Sequence, residues 1–228
     1  MEKGTDNNTR RPAAKWLLAA VVGALTGALT VFGKFLPPDW NALADSAALW
    51  MVAAYFAAAA SVRPKTSVGL ATLVLVVANT VYYPLSAIVN AKPIEFGSAM
   101  VVWYGGALAA GLVFGIAAYL WRCKTGPLYY LGAALPTAVL WAECAMMLTV
   151  EYYAERPAAP LCGFALGLAL LLFCCVFSHF KWLPRQADAA RGAKKTPLLL
   201  HCLFGLAAAL PIAGLGIAGY HLLWWLLR

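Results

Sequence analysis

The chain has 228 residues, 63% of them apolar and only 11% charged, where a soluble domain carries about 25% charged residues. The remaining charges cluster between apolar stretches long enough to cross a hydrocarbon core of about 30 Å. This excludes a soluble enzyme, a secreted disulfide scaffold and a disordered tail, and leaves a multi-pass membrane protein.

Residues 1–12 show no apolar periodicity and read as a mobile cytoplasmic tail. Thr9-Arg10-Arg11 with Lys15 has the look of a twin-arginine export signal. No small-residue cleavage site follows, so these charges read as the flank of a retained first helix. The apolar pattern then predicts spans over 15–36, 44–62, 67–89, 98–121, 128–150, 160–180 and 197–227. A membrane barrel would alternate polar and apolar residues in pieces of about 10, whereas these stretches are continuously apolar and rich in Ala, Leu and Gly. The expected fold is an all-α integral membrane bundle of about seven helices, with residues 13–228 forming one domain. The last stretch is long, about 46 Å at the helical rise. Either it tilts and projects, or it breaks near Pro211 and Gly214, where proline removes a backbone bond.

Lys and Arg are retained on the cytoplasmic side. With the N-terminus inside, 13 of the 17 basic residues fall in inner segments and four outside. That distribution predicts N-terminus inside and C-terminus outside, in a plasma or inner membrane. The positive balance, +8 overall, is a set of topology signals without aromatic interleaving, so no nucleic acid is expected. The basic 181–195 loop suits anionic lipid, at roughly 1 kcal/mol per basic residue near the surface. Trp224 and Trp225 beside Arg228 suit an interfacial anchor.

Three pairs of glycines stand four apart: Gly23 and Gly27, Gly111 and Gly115, Gly163 and Gly167. Ala20, Ala24 and Ala28 add a small-residue face on the first span. Such faces let helices approach closely in lipid. They serve packing inside this chain, or they dock another membrane subunit.

An ionisable group inside a membrane is costly and tends to be functional. Glu143 sits about 10 Å inside the outer end of the fifth span by the helix rise. Asn79, Tyr82 and Tyr83 share one helical face in the third span, and Pro84 follows. Asp45 and Trp50 open the second span, Trp103 and Tyr104 the fourth, and Tyr220 and His221 lie near the end of the seventh. Polar and aromatic groups therefore gather on the outer side. The sharp reading is an outward-facing site for a small amphipathic or cationic ligand, formed by Glu143, Asn79, Tyr82, Tyr83, Trp103 and Asp45. The plainer reading keeps Tyr and Trp as interfacial residues, Asp45 or Ser46 as a helix cap and Glu143 as a paired or protonated acid.

Near the inner face, Cys175, His179, His201 and Cys202 are the weak candidates for metal ligands, although their spacing matches no known ligand pattern. Cysteine usage predicts reduced thiols rather than a disulfide framework. There is no G-x-S-x-G, H-E-x-x-H or phosphate-binding lysine loop, so neither catalysis nor nucleotide hydrolysis is expected, and no cofactor. An enzyme acting on lipid or isoprenoid ranks third among the readings.

The stretch Trp40-Asn41-Ala42-Leu43-Ala44-Asp45-Ser46, followed by Trp50, resembles the turn before the second span in a family of uncharacterised bacterial multi-pass proteins. That family has an acidic residue late in a later span, a position Glu143 would match; it carries no assigned activity. In architecture alone, the chain is similar to the substrate-binding membrane subunits of energy-coupling-factor transporters. That resemblance implies a vitamin-sized ligand bound from outside, and docking to a scaffold through Ala20, Ala24 and Ala28. The function expected is thus a small transport or ligand-capture protein without its own nucleotide hydrolysis. The alternative is a non-catalytic structural or accessory subunit of a larger membrane complex.

Overall fold

A computed structural model describes residues 6–93, 97–150, 155–179 and 198–226. Among them the chain forms helices α1 (Asp6–Gly33), α2 (Pro38–Ala44), α3 (Ala47–Ala58), α4 (Pro64–Val89), α5 (Ser98–Cys123), α6 (Pro127–Met147), α7 (Ala158–His179) and α8 (Leu198–Leu226). No strand occurs among the described residues. Six of the helices, α1 and α4 to α8, are long and apolar enough to cross a membrane.

Alanine is the commonest residue of the interior, and many large apolar side chains lie outside. Ala48, Ala54, Ala58, Ala71, Ala78, Ala134 and Ala138 are fully buried, while Leu17, Leu29, Val101, Leu108, Leu199 and Leu215 lie open on the outside. In lipid no hydrophobic force drives helices together, so small side chains that permit close contact fill the interior and large ones face the acyl chains.

The contacts group into two compact units, 1–119 and 120–228, the boundary falling near the end of α5. In the first unit α1 and α4 run parallel. Trp16 meets Gly69, Gly23 meets Val74, and Gly27 meets Ala78. Two parallel neighbours require the chain to return between them, and α3 makes the return. Trp50 near its start bonds Thr30 of α1, and the Ser61 carbonyl after its end accepts from Ser67 Oγ of α4. Helix α5 runs antiparallel on α4, with Gly111 against Thr72 and Gly115 against Val68.

The second expected span is therefore a helix of 12 residues, about 18 Å at the helical rise and shorter than the expected 44–62. Its ends are fixed by side chains. Ser46 Oγ accepts from Leu49 N at the start, and Ser61 Oγ accepts from Arg63 N in the turn after its end. A further difference lies at the start of the chain. Helix α1 already begins at Asp6, inside the stretch expected to be a tail, so 6–12 continue the first helix. Of the two alternatives for the last stretch, the continuous one is observed: helix α8 runs unbroken through Pro211 and Gly214.

The second unit is held by polar side chains of its own helices reaching the backbone of α7. Thr137 Oγ1 donates to Gly167 O at 2.8 Å, and Trp141 Nε1 to Phe164 O at 2.9 Å. Tyr129 OH and Trp121 Nε1 both donate to Cys174 O, at 2.9 and 3.2 Å. Alanines 134, 138 and 142 of α6 pack on Ala209 and Ala213 of α8. All three glycine pairs thus contribute to contacts inside the chain. Gly167 lies against the Trp141 ring, and Gly163 is buried one turn before it. Ala20, Ala24 and Ala28 are half-buried on α1.

Candidate ligand-binding site

At one end of the first unit the C-terminal parts of α1 and α4 meet the start of α3 and α5. Two glycines set how α4 and α5 diverge there. At Gly111 and Gly115 the backbones touch, whereas nothing stands within 4 Å of a Cβ built at Gly105 or Gly106. Tyr104 OH and Thr80 Oγ1, 3.0 Å apart, bridge the two helices in the splayed part. Between α3, α4 and α5 this leaves a cavity of two lobes.

The polar lobe, of about 110 Å³, is lined by Asp45, Ala47, Trp50, Asn79, Tyr82, Tyr83 and Trp103. The apolar lobe, of about 70 Å³, is lined by Met51, Leu75, Gly106, Ala107 and Ala110 and shares Ala47, Trp50, Asn79 and Trp103 with the first. Five of the six residues expected at a ligand site therefore surround one space. The sixth, Glu143, is half-buried on α6 in the second unit and lines neither lobe.

Asn79 is the polar group common to both lobes and is 3% exposed. Its Nδ2 donates to Leu75 O of its own helix at 3.0 Å. Only the amide nitrogen can bond a carbonyl, so the orientation of the amide is fixed and Oδ1 is the end left over. That oxygen has no partner among the described residues. It is not among the fully buried side-chain atoms that lack a partner, so it is reached from the cavity, where a donor entering could bond it.

The aromatic wall is tied to the helices behind it. Trp50 Nε1 donates to Thr30 Oγ1 at 2.7 Å, and Thr30 Oγ1 to Thr26 O at 3.0 Å. The Trp50 ring meets Tyr82 edge-on, centroids 5.7 Å apart, and Tyr82 meets Tyr83 in the same way at 5.5 Å. Helix α4 continues through Pro84 to Val89, and the missing proline N–H leaves the Thr80 carbonyl without its helical donor.

Lys34, one of the four basic residues counted on the outer side in the sequence, lies beside this wall. Its ammonium donates to Tyr82 OH at 2.7 Å and sits 4.9 Å from the centre of that ring. Nothing in its sequence position signals this, because the pairing depends on α1 and α4 lying parallel. Asp45, in the turn before α3 and still reached by solvent, has its carboxyl raised above the ordinary 3.8 by burial, with the Lys34 charge pulling it back. The ionised form is therefore the disfavoured one in the fold, and its cost appears as pH rises above 3.8 through the raised value. Asp45→Asn is expected to raise the thermal midpoint in detergent at pH 7 and to make no difference below pH 3.8.

Of the weak metal-ligand candidates, Cys175 and His201 come together where α6, α7 and α8 meet. Tyr130 OH and His201 Nδ1 are 2.7 Å apart, and Cys175 Sγ donates to the His201 carbonyl at 3.7 Å. No group of three His, Cys, Asp or Glu placed to hold a metal occurs among the described residues. The side chain of His179 lies outside them, as do the side chains of Tyr220, Trp224 and Trp225 and the residues 181–195 and Arg228. None of the six cysteines forms a disulfide.

Residues 6–223 match a family of unknown function, DUF6518. The chain belongs to that family. The DUF6518 match extends well beyond the 20–150 on which the resemblance to uncharacterised multi-pass proteins rests, and the family brings no activity with it. No curated protein and no solved structure matches the chain.

Proposed function

We propose that this DUF6518 protein is a small membrane transport or ligand-capture protein that takes an amphipathic molecule into the cavity of its first unit. The distribution of Lys and Arg supports placing that end of the unit on the outer side of a plasma or inner membrane, with the N-terminus inside. The observation that carries the reading is the Asn79 oxygen, open to the cavity and without a protein partner among the described residues, at the junction of a polar and an apolar lobe. Ligand sites pair apolar walls with a few placed polar groups in this manner. Asp45, Tyr82 and Tyr83 receive the polar end of the ligand, Trp50 and Trp103 its middle, and Leu75 and Ala107 its apolar end. Glu143 is the expected anchor outside this lining. Energy for uphill movement would come from an ion gradient or a partner, since no nucleotide-binding loop is present in the sequence.

The alternative of an accessory subunit rests on the small-residue faces and on the lack of any catalytic motif in the sequence. Gly23 and Gly27 are covered by α4, which weakens the first of these.

The test is chemical. In a background with the six native cysteines replaced, Asn79→Cys is expected to react with a charged, membrane-impermeant thiol reagent added outside. Val74→Cys, at a fully buried contact with α1, is expected to stay unreactive, and so is Lys124→Cys on the inner side. An unreactive Asn79→Cys beside a reactive Lys92→Cys would refute the outward cavity. Glu143→Gln that leaves labelling and ligand protection unchanged would confine the site to the first unit.

A further inference from the structure

A cation stands beside one residue of the cavity lining. Lys34 Nζ is 2.7 Å from Tyr82 OH and 4.9 Å from the ring centre. Tyr82 and Asp45 both line the polar lobe. Lys34 itself is not part of that lining and is solvent-exposed, on a flexible stem at the end of α1. The ammonium bonds the hydroxyl of a ring that lines the polar lobe, and its charge acts on the Asp45 carboxyl, so a cation inside the lobe would draw on the same hydroxyl and carboxyl.

Resting on the capture reading above, we propose that Lys34 is a tethered occupant of a cation subsite, and that the ligand is a small amphiphile with an ammonium head that displaces it. The head takes the attraction of Asp45 and the Tyr82 ring. One of its N–H groups donates to Asn79 Oδ1, the unmatched acceptor, and the apolar body enters the lobe between Leu75, Met51 and Ala107. Two cations at one end of the cavity repel each other and draw on the same Tyr82 hydroxyl, so Lys34 and the ligand head compete. Lys34 can leave without cost to the fold because its ammonium is hydrated as it withdraws. An anionic ligand is disfavoured by the same arrangement: it would pair with Lys34 but meet the Asp45 carboxylate and the oxygen end of Asn79, neither of which donates.

The chemistry asks for a primary or secondary ammonium, because a quaternary one has no N–H for Asn79. Its size is bounded by the two lobes, about 110 and 70 Å³. A single aromatic or short aliphatic body with a two-carbon ammonium arm has the right proportions.

The experiment uses the full chain in lipid nanodiscs with 2-phenylethylammonium as probe and 2-phenylethanol as its uncharged counterpart. Binding is read by calorimetry and by the fluorescence of Trp50 and Trp103. Lys34→Met is expected to tighten 2-phenylethylammonium about tenfold and to leave 2-phenylethanol within about twofold. Lys34→Arg, which keeps a cation in place, is expected to stay near the original affinity. Asp45→Asn is expected to abolish the preference for the charged probe, and Asn79→Leu to weaken both probes, since both carry a donor.

Equal responses of the two probes to Lys34→Met, or weaker binding of the charged one, would overturn the displacement. Failure of both probes to bind protein whose Asn79→Cys form is reactive from outside would overturn the ligand class and leave the capture reading standing. An unreactive Asn79→Cys would remove both. Thermal midpoints of the Lys34 variants within about 2 °C of the original separate an altered site from an altered fold.

Discussion

Replacing Gly27 with leucine is expected to separate α1 from α4 and to leave little folded protein. A Cβ at this position would meet the Ala78 carbonyl oxygen, with Ala78 C and Cα at 3.1 and 3.2 Å. These are backbone atoms of a packed helix and have no rotamer to change, so the helices must move apart. Overpacking of this kind costs about 1–3 kcal/mol where side chains can adjust, and more where they cannot. Gly23, against the backbone of Val74, is expected to behave alike. Gly214→Leu is the matched control, because nothing stands within 4 Å of it. The readout is the monodisperse fraction and thermal midpoint after mild-detergent extraction. Equal yields of Gly27→Leu and Gly214→Leu would show that the α1–α4 contact is not what holds the unit.

The second large effect belongs to Trp50. Its ring is 9% exposed and touches Tyr82, and its Nε1 bonds Thr30; three helices meet on one side chain. Trp50→Ala is expected to destabilise by about 3 kcal/mol, the low end for a large core truncation, because lipid rather than water competes for the site. It also removes a wall shared by both lobes, so any bound probe should be lost with it. Trp50→Phe keeps most of the ring and gives up only the bond to Thr30, worth about 0.6 kcal/mol between membrane helices. A Trp50→Phe variant as damaged as Trp50→Ala would make the hydrogen bond, not the ring, the main contribution.

The long spans were legible because their signal is composition, and lipid selects for composition over any length of chain. The boundaries of α3 were not. Its hydropathy runs on through Ser61 and Val62, while its end is set by the Ser61 side chain and by Pro64 opening α4, local bonds that a hydropathy window does not register. The faces of α4 were legible from helical spacing, which put Asn79, Tyr82 and Tyr83 together. Asp45 and Trp103 joined them because outer-level residues of neighbouring spans converge when the helices pack. Lys34 was missed for the opposite reason: its partner is 48 positions away, and only the parallel α1–α4 contact brings them together. Tyr130 was missed in the same way, since its bond to His201 joins the first and last helices of the second unit.

The parallel pairing of α1 and α4 also constrains how the protein is made. Gly23 and Gly27 emerge from the ribosome well before Val74 and Ala78, the backbone they are shaped to receive. At synthesis rates of about 5–20 residues per second, α1 waits roughly 3–10 s in the bilayer with its contact face open to any passing helix. Helix α3, too short to hold a firm transmembrane position alone, gains its place only when α4 follows it. The order of assembly is then an α3–α4 hairpin closing onto a waiting α1. Translation pausing between α3 and α4 would lengthen that exposure, so the codons for residues 59–75 are where synthesis speed bears most directly on yield.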